Sequence, residues 1–122
     1  MSETPVIVQG LERSTMGWGG FSRIVENPKW ALATIGYSEK YAESHFSTIA
    51  RHHFTDETFV LLQGEATLVI GKELLRVKMM PCVCYTVKAG TWHHVLVSQD
   101  ARIIVVENSD TSRENTETIS IK

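Results

Sequence analysis

The chain has 122 residues, a length that fits one domain. Hydrophobic residues make up 43% and charged residues 21%, which is the balance of a folded globular protein rather than a disordered one. The formal net charge of -2 argues against the basic surface that nucleic-acid-binding domains carry. The sequence also lacks an apolar stretch of about 18 residues and a basic, apolar leader. We therefore expect a cytoplasmic protein with neither nucleic acid nor membrane as a partner.

Short apolar and β-branched runs alternate with turn residues along most of the chain. Because these runs recur at intervals of roughly ten residues, they are typical of a sandwich or barrel. Residues 38–46 allow a turn or two of helix, but no longer segment keeps a 3.6-residue period. The predicted strands cover residues 21–25, 30–37, 58–62, 66–70, 74–77, 83–87, 95–97 and 103–107. We predict an all-β domain that spans residues 1–122.

The end of the chain, from about residue 109, is a polar tail. Residues 109–117 are almost wholly polar, whereas Ile119 and Ile121 alternate with Ser120. The tail either packs loosely or adds a final edge strand to a sheet. We favour the loose arrangement.

Two cysteines, Cys82 and Cys84, are separated by one residue. A disulfide between them would need strained geometry, and two thiolates make an incomplete zinc site. We therefore expect both to be small, buried apolar side chains.

The first of two histidine clusters is Arg51-His52-His53, which precedes Glu57. Side chains of a strand point alternately to its two faces. If His53 and Glu57 both point into the interior of a closed barrel, alternation also turns Arg51 inward and turns His52 outward. Acidic and imidazole groups that converge in this way are candidate metal ligands.

The second cluster is Trp92-His93-His94, which follows a turn at Gly90 and opens a strand. Alternation directs His93 and His94 to opposite faces. Trp92 is either a ring that stacks on a ligand or a packing residue. We take His93 as the inward residue and therefore as the candidate ligand.

Both clusters resemble the sequence motifs of the cupins, small β-barrels built from two packed sheets. The first cupin motif has two histidines one residue apart, then a glutamate, then a glycine that ends the strand. The second has a proline, a glycine two residues on, and then a histidine. The matching positions are Arg51, His53, Glu57 and Gly64 for the first motif and Lys88, Gly90 and His93 for the second. The resemblance implies an antiparallel β-barrel of the double-stranded β-helix, jelly-roll-like type.

The resemblance further implies a divalent transition metal inside the barrel, held by His53, Glu57 and His93. Imidazole and carboxylate ligands suit zinc, manganese, iron, nickel, cobalt and copper alike. Three positions depart from the family pattern. Arg51 replaces a histidine, Lys88 replaces the proline, and Val97 occupies a position that is usually polar.

Arg51 leaves three arrangements open, because a guanidinium has only donors and cannot ligate a metal. In the first, the three ligands hold a metal while Arg51 and Trp92 bind an anionic substrate. In the second, no metal binds and Arg51 pairs with Glu57. In the third, another histidine completes the site, the candidates being His45, His52 and His94.

The resemblance implies a specific fold but no specific reaction, since cupins include isomerases, lyases, dioxygenases and decarboxylases. One hypothesis is a metal-dependent enzyme that converts a small polar metabolite of anionic or sugar-like character. The other is a non-catalytic module that binds such a ligand. Cupins commonly pair through edge strands. We therefore expect a homodimer to which Val6-Ile7-Val8 or the C-terminal strand contributes.

Overall fold

The computed structural model describes residues 8–122. Within them lie ten strands and three short 3-10 helices, and the all-β prediction is confirmed. The strands are β1 (Phe21–Glu26), β2 (Trp30–Ile35), β3 (Thr48–His52), β4 (Glu57–Gln63), β5 (Ala66–Ile70), β6 (Leu75–Lys78), β7 (Cys84–Val87), β8 (His93–Val97), β9 (Arg102–Asn108) and β10 (Thr116–Ser120). The 3-10 helices are Glu39–Tyr41, Glu43–His45 and Arg113–Asn115.

The strands form two five-stranded antiparallel sheets that face each other. The first sheet has the order β1-β2-β9-β4-β7 and the second has the order β10-β3-β8-β5-β6. Their inner faces share one hydrophobic core, to which the first sheet contributes Phe59 and Ile103 and the second contributes Leu68 and Val95. The chain crosses repeatedly between the sheets, so residues distant in sequence meet between them.

A second, smaller core covers the outer face of the second sheet. It consists of Phe46, Ile49, Val69, Trp92 and Leu96. Ile49 of β3 is only 1% exposed there. Since neighbouring residues of a strand point to opposite faces, Thr48 and Ala50 are turned inward, where both line a cavity.

The polar tail is ordered as an edge strand, so the loose arrangement that we favoured is wrong. All five residues of β10 pair with β3, from Thr116 opposite His52 to Ser120 opposite Thr48. Ile119 and Ile121 pack against the smaller core, which explains why this strand adheres to the sheet despite its polar composition.

The cysteines differ from the expectation, because Cys82 and Cys84 are both free and exposed. Cys84 begins the edge strand β7 and lies opposite Val60 of β4. Since Phe59 points into the core, Val60 and its neighbour Cys84 lie on the outer face. Cys84 is therefore exposed on that face.

One expectation falls partly outside the described residues. Val6 and Ile7, expected to contribute to a dimer, lie outside the described residues. In residues 8–122, no helix has the length and apolar character required to cross a membrane.

Candidate functional site

A cavity of about 400 Å³ opens between the two sheets. One part of its wall is charged and the rest combines aromatic rings with hydroxyl groups. The rings belong to Phe21, Tyr41 and Phe59, the hydroxyls to Thr48, Thr111, Ser112, Thr116 and Thr118, and the charged or ionisable groups to Arg23, Lys40, His52, Glu57, His93, His94 and Glu107. This mixture suits a small polar ligand with a flat or ring-shaped part.

His52, Glu57 and His93 form a compact cluster in the cavity wall. Oε1 of Glu57 lies 3.1 Å from Nε2 of His93 and 3.3 Å from Nε2 of His52. One potential ligand atom from each residue lies within 4.8 Å of the others. The side chains of Glu57 and His93 are 8% exposed and that of His52 is 15% exposed. The cluster links the sheets, since Glu57 belongs to the first and both histidines to the second.

Hydrogen bonds from backbone and side-chain groups hold the strand ends that carry this cluster. The amide of Gly90 donates to the carbonyl of His52 at 2.6 Å, which joins the turn before His93 to the end of β3. Asp56, next to Glu57, accepts from the amide of Ala89 at 2.8 Å and from Lys88 at the same distance. Lys88 therefore lies at the surface and stabilises this turn through its contact with Asp56.

Hydrogen bonds define where the two imidazoles carry their protons. Nδ1 of His93 lies 3.0 Å from the carbonyl oxygen of Thr91, which only accepts, so Nδ1 is the donor. Nδ1 of His52 lies 2.8 Å from Oγ1 of Thr116, and that hydroxyl donates to the carbonyl of Ser112 at 2.6 Å. Nδ1 of His52 must therefore donate to Thr116. In their neutral forms both rings present an Nε2 lone pair to Glu57.

Three acceptors thus converge, and positive charge is required between them. In the metal-free protein, the hydrogen bond to Glu57 raises the pKa of His52, which favours a proton between the two groups. Burial would raise the pKa of Glu57, but its bonds to His52 and His93 hold that pKa well below the usual range. Ligand atoms about 2.1 Å from one ion, at angles of about 90–109°, lie about 3.0–3.4 Å apart. The two distances from Oε1 of Glu57 match this range, and all three potential ligand atoms lie within 4.8 Å of one another, so these residues fit a divalent metal.

Glu107 adds a second carboxyl group beside the cluster. It lies on β9 directly opposite Glu57 of β4. Burial and the charge of Glu57 raise the pKa of Glu107, while Arg23 opposes this shift. Nε of Arg23 donates to Oε1 of Glu107 at 3.2 Å, and its Nη2 donates to the carbonyl of Thr111 at 2.8 Å. Arg23 thereby ties Glu107 to the loop at the cavity rim.

Strand alternation predicted that His52 points outward, and Arg23, Tyr41 and Glu107 were not among the predicted site residues. A signal for Glu107 was present, because it is the one charged residue of the otherwise apolar run 103–107. Tyr41 comes from a 3-10 helix, for which strand alternation offers no guidance. Burial and the nearby charges of Glu57 and Glu107 raise the pKa of Tyr41 to about 12, so its phenol is a hydrogen-bond donor.

The inward orientation predicted for Arg51 and His53 is wrong. Because Ile49 occupies the outer core, strand alternation turns Arg51 outward and His52 inward. Nη2 of Arg51 lies 2.8 Å from Oε1 of Glu117, so Arg51 pairs with Glu117 rather than Glu57. Nε2 of His53, which follows the end of β3, lies 3.6 Å from the same oxygen. This geometry removes the Arg51–Glu57 pair on which the metal-free arrangement depended.

Trp92 also lies away from the cavity, in the smaller core on the outer face. The guanidinium carbon of Arg51 lies 4.6 Å from the centroid of its ring. Arg51 and Trp92, both expected to bind substrate, therefore contact each other on the far side of the sheet. The cavity wall does not include them.

The remaining histidine candidates are separate from the cluster. His94 donates from Nε2 to the carbonyl of Lys40 at 3.2 Å, and its ring stacks on Phe46 at 5.1 Å. Burial lowers the pKa of His94. His94 thus anchors the segment that carries Tyr41. His45 is exposed and lies 4.0 Å from Glu39.

No family sequence profile matches this chain. No curated protein sequence matches it significantly. Solved structures do resemble it. A variant of the Streptomyces nucleoside dehydratase Pac13, solved with uridine, has a TM-score of 0.62 at 12% identity, covering 98% of this chain and 93% of that protein.

Two further solved structures are described as cupins. A cupin-2 domain protein from Shewanella frigidimarina has a TM-score of 0.56 at 14% identity, covering 77% of this chain and 84% of that one. A cupin with a double-stranded β-helix fold from Methanocaldococcus jannaschii has a TM-score of 0.56 at 9% identity, covering 88% and 90%. Such identities relate the folds alone. The two facing antiparallel sheets and these likenesses together show that the protein has the fold of a small cupin.

Proposed function

We propose that the protein binds one divalent transition metal through His52, Glu57 and His93, and binds or converts a small polar metabolite beside it. The observation that carries this proposal is the convergence of two Nε2 lone pairs on one carboxylate oxygen, at 3.3 and 3.1 Å. Such a set of two imidazoles and one carboxylate leaves coordination positions open toward the cavity. The metal could be zinc, manganese, iron, nickel, cobalt or copper.

The rest of the wall supports a polar, ring-bearing ligand. Phe21 and Phe59 offer flat apolar surfaces, whereas Tyr41 and Thr48 offer hydroxyl groups. Sugar-like and anionic metabolites are the classes that we propose. The dehydratase of similar fold was solved with uridine, a nucleoside that combines a flat base with a sugar.

A bound divalent ion would polarise a carbonyl or hydroxyl oxygen of the ligand. Around it, the hydroxyl groups of Tyr41 and Thr48 would orient the ligand's polar groups, and Phe59 would exclude water from one side of the cluster. An isomerase, lyase or dioxygenase would use these parts, and so would a binding module that only senses the ligand. Turnover of a ligand that the protein binds distinguishes the enzyme from the binding module.

The first experiment is elemental analysis of the purified, tag-free protein before and after chelation, with a melting curve for each state. We expect about one equivalent of a transition metal, and a lower melting temperature after its removal, because a ligand that binds only the folded state stabilises it. Absence of bound metal, together with no stabilisation by any added transition metal, would contradict the proposal.

The second experiment identifies the ligand by thermal shift, using uridine and a panel of sugars and sugar acids. The metal-loaded protein should be stabilised by at least one class. Neutral sugars and their acids then separate recognition of the ring from recognition of the charge. Bound compounds are next assayed for turnover with and without dioxygen.

We further propose a homodimer. The edge strands β1, β6, β7 and β10 each have one side without a strand neighbour in the part of the chain described, and such edges favour pairing with another chain. Light scattering at micromolar concentration tests this proposal. A monomer would contradict it.

A further inference from the structure

Thr116 occupies the position that decides how His52 carries its proton. It is the first residue of β10 and pairs with His52 across the strands. Its Oγ1 lies 2.8 Å from Nδ1 of His52 and 2.6 Å from the carbonyl oxygen of Ser112. A hydroxyl has one hydrogen, and a carbonyl can only accept. Thr116 therefore donates to Ser112 and accepts from Nδ1–H of His52.

The turn before β10 holds the Ser112 carbonyl in place. The amide of Ser112 donates to Oδ1 of Asn115 at 2.9 Å. Nδ2 of Asn115 donates in turn to the carbonyl of Asp110 at 2.7 Å. These bonds fix the turn that carries the Ser112 carbonyl, and the position of this carbonyl favours one direction of the Thr116 hydroxyl.

Two groups compete for the single ring proton of neutral His52. Oε1 of Glu57, 3.3 Å from Nε2, favours the tautomer with the proton on Nε2. Oγ1 of Thr116, at the shorter distance of 2.8 Å, favours the proton on Nδ1. The hydrogen bond at one ring nitrogen determines which nitrogen can ligate a metal.

We infer that Thr116 is a positioning residue that keeps the His52 proton on Nδ1 and leaves the Nε2 lone pair free for a cation. The value of this lone pair as a metal ligand rests on the proposed function. At His93 the same task belongs to the backbone carbonyl of Thr91. A backbone carbonyl cannot be removed by substitution, whereas the Thr116 hydroxyl can. Substitution of Thr116 therefore tests how the tautomer of a cluster histidine is set.

The test compares wild type with Thr116→Val, which removes the hydroxyl at nearly constant volume. Thr116→Ser is the rescue variant. Thr118→Val is the matched control for the two readouts below, because it removes a hydroxyl from the same cavity wall at a residue that pairs with Ala50 instead of His52. The first readout is the ¹⁵N chemical shift of the His52 ring in metal-free protein at alkaline pH. The second is metal affinity, measured by competition with a chromogenic chelator.

We expect Thr116→Val to move the His52 proton from Nδ1 to Nε2 and to weaken metal binding about 10–100-fold, the usual effect of removing the partner of a ligating histidine. Thr116→Ser should restore both properties, and Thr118→Val should change neither. Should the Thr116→Val protein fail to fold, Thr116→Ala provides the same comparison.

A folded Thr116→Val protein that keeps the Nδ1–H tautomer, or that binds metal as tightly as wild type, would overturn the inference. Wild-type protein that binds no metal would instead overturn the proposed function. In that case the ¹⁵N chemical shift of the metal-free His52 ring still tests whether Thr116 keeps the proton on Nδ1.

Discussion

Glu57 and His93 meet inside the barrel, with 3.1 Å between Oε1 and Nε2, although they belong to different sheets. Glu57 begins β4 and His93 begins β8. Their contact depends on how the two sheets face each other, and both side chains are almost fully buried. A cation held between them would link the sheets, which is why the stability of the fold should report on metal binding.

The neighbours His52 and His53 should differ sharply in their effect on metal binding. His52 points into the cluster, whereas His53 is 38% exposed and lies near Glu117. We expect His52→Gln to weaken metal affinity about 100-fold or more, since loss of a ligand exceeds the effect of losing its partner. His53→Gln should leave it unchanged, as isothermal titration would show. Equal losses would mean that neither histidine is a specific ligand.

A new histidine at position 50 should strengthen metal binding, and one at position 51 should not. Ala50 lines the cavity and pairs with His93, so its side chain points toward the cluster. We expect Ala50→His to raise metal affinity tenfold or more, about 1.4 kcal/mol. Arg51→His is the control, because Arg51 faces Glu117. A gain from Arg51→His alone would show that β3 turns the opposite face inward.

The smaller core should contribute substantially to stability. Ile49 is 1% exposed within it, and truncation of such a side chain usually costs about 2–5 kcal/mol. Ile49→Ala should therefore lower the free energy of unfolding by that amount in a urea titration. Leu75→Ala, at a position 60% exposed, should change it by about 0.5 kcal/mol or less. Similar losses at both positions would contradict the assignment of Ile49 to a core.

Two glycines in the same backbone conformation should tolerate alanine differently. Gly64 and Gly71 both have φ near 77°, a region that costs other residues about 1–2 kcal/mol. A Cβ at Gly64 would lie 2.7 Å from the backbone of Ala101, whereas the nearest atom at Gly71 is 3.9 Å away. Gly64→Ala should therefore lower the melting temperature well beyond the effect of Gly71→Ala. Equal shifts would indicate that the backbone conformation alone limits position 64.

Much of the fold was predictable because its signals are local. The eight runs predicted as strands all correspond to observed strands, with ends that differ by up to two residues. Strand β3 was missed because Ile49 is the one large apolar residue among Thr48–His52. Strand β10 has too few apolar residues for the sequence pattern to distinguish an edge strand from a loose tail.

The first motif was aligned one residue out of place. With three residues between histidine and glutamate, the motif assigns Arg51 and His53 to its two histidine positions. With four residues, it assigns Ala50 and His52, which are the inward residues of β3. Residues 53–56 form the connection to Glu57, and its length cannot be inferred from strand alternation.

The amino-acid sequence by itself determined the all-β class, the positions of most strands along the chain, and the presence of Glu57 and His93 in neighbouring motifs. Only the tertiary structure decided which side chains of β3 join them. Alternation along a strand has a period of two, so a shift of one residue exchanges the two faces completely. The packing of Ile49 against the outer core resolves that choice, and it does so through residues that lie far away in the sequence.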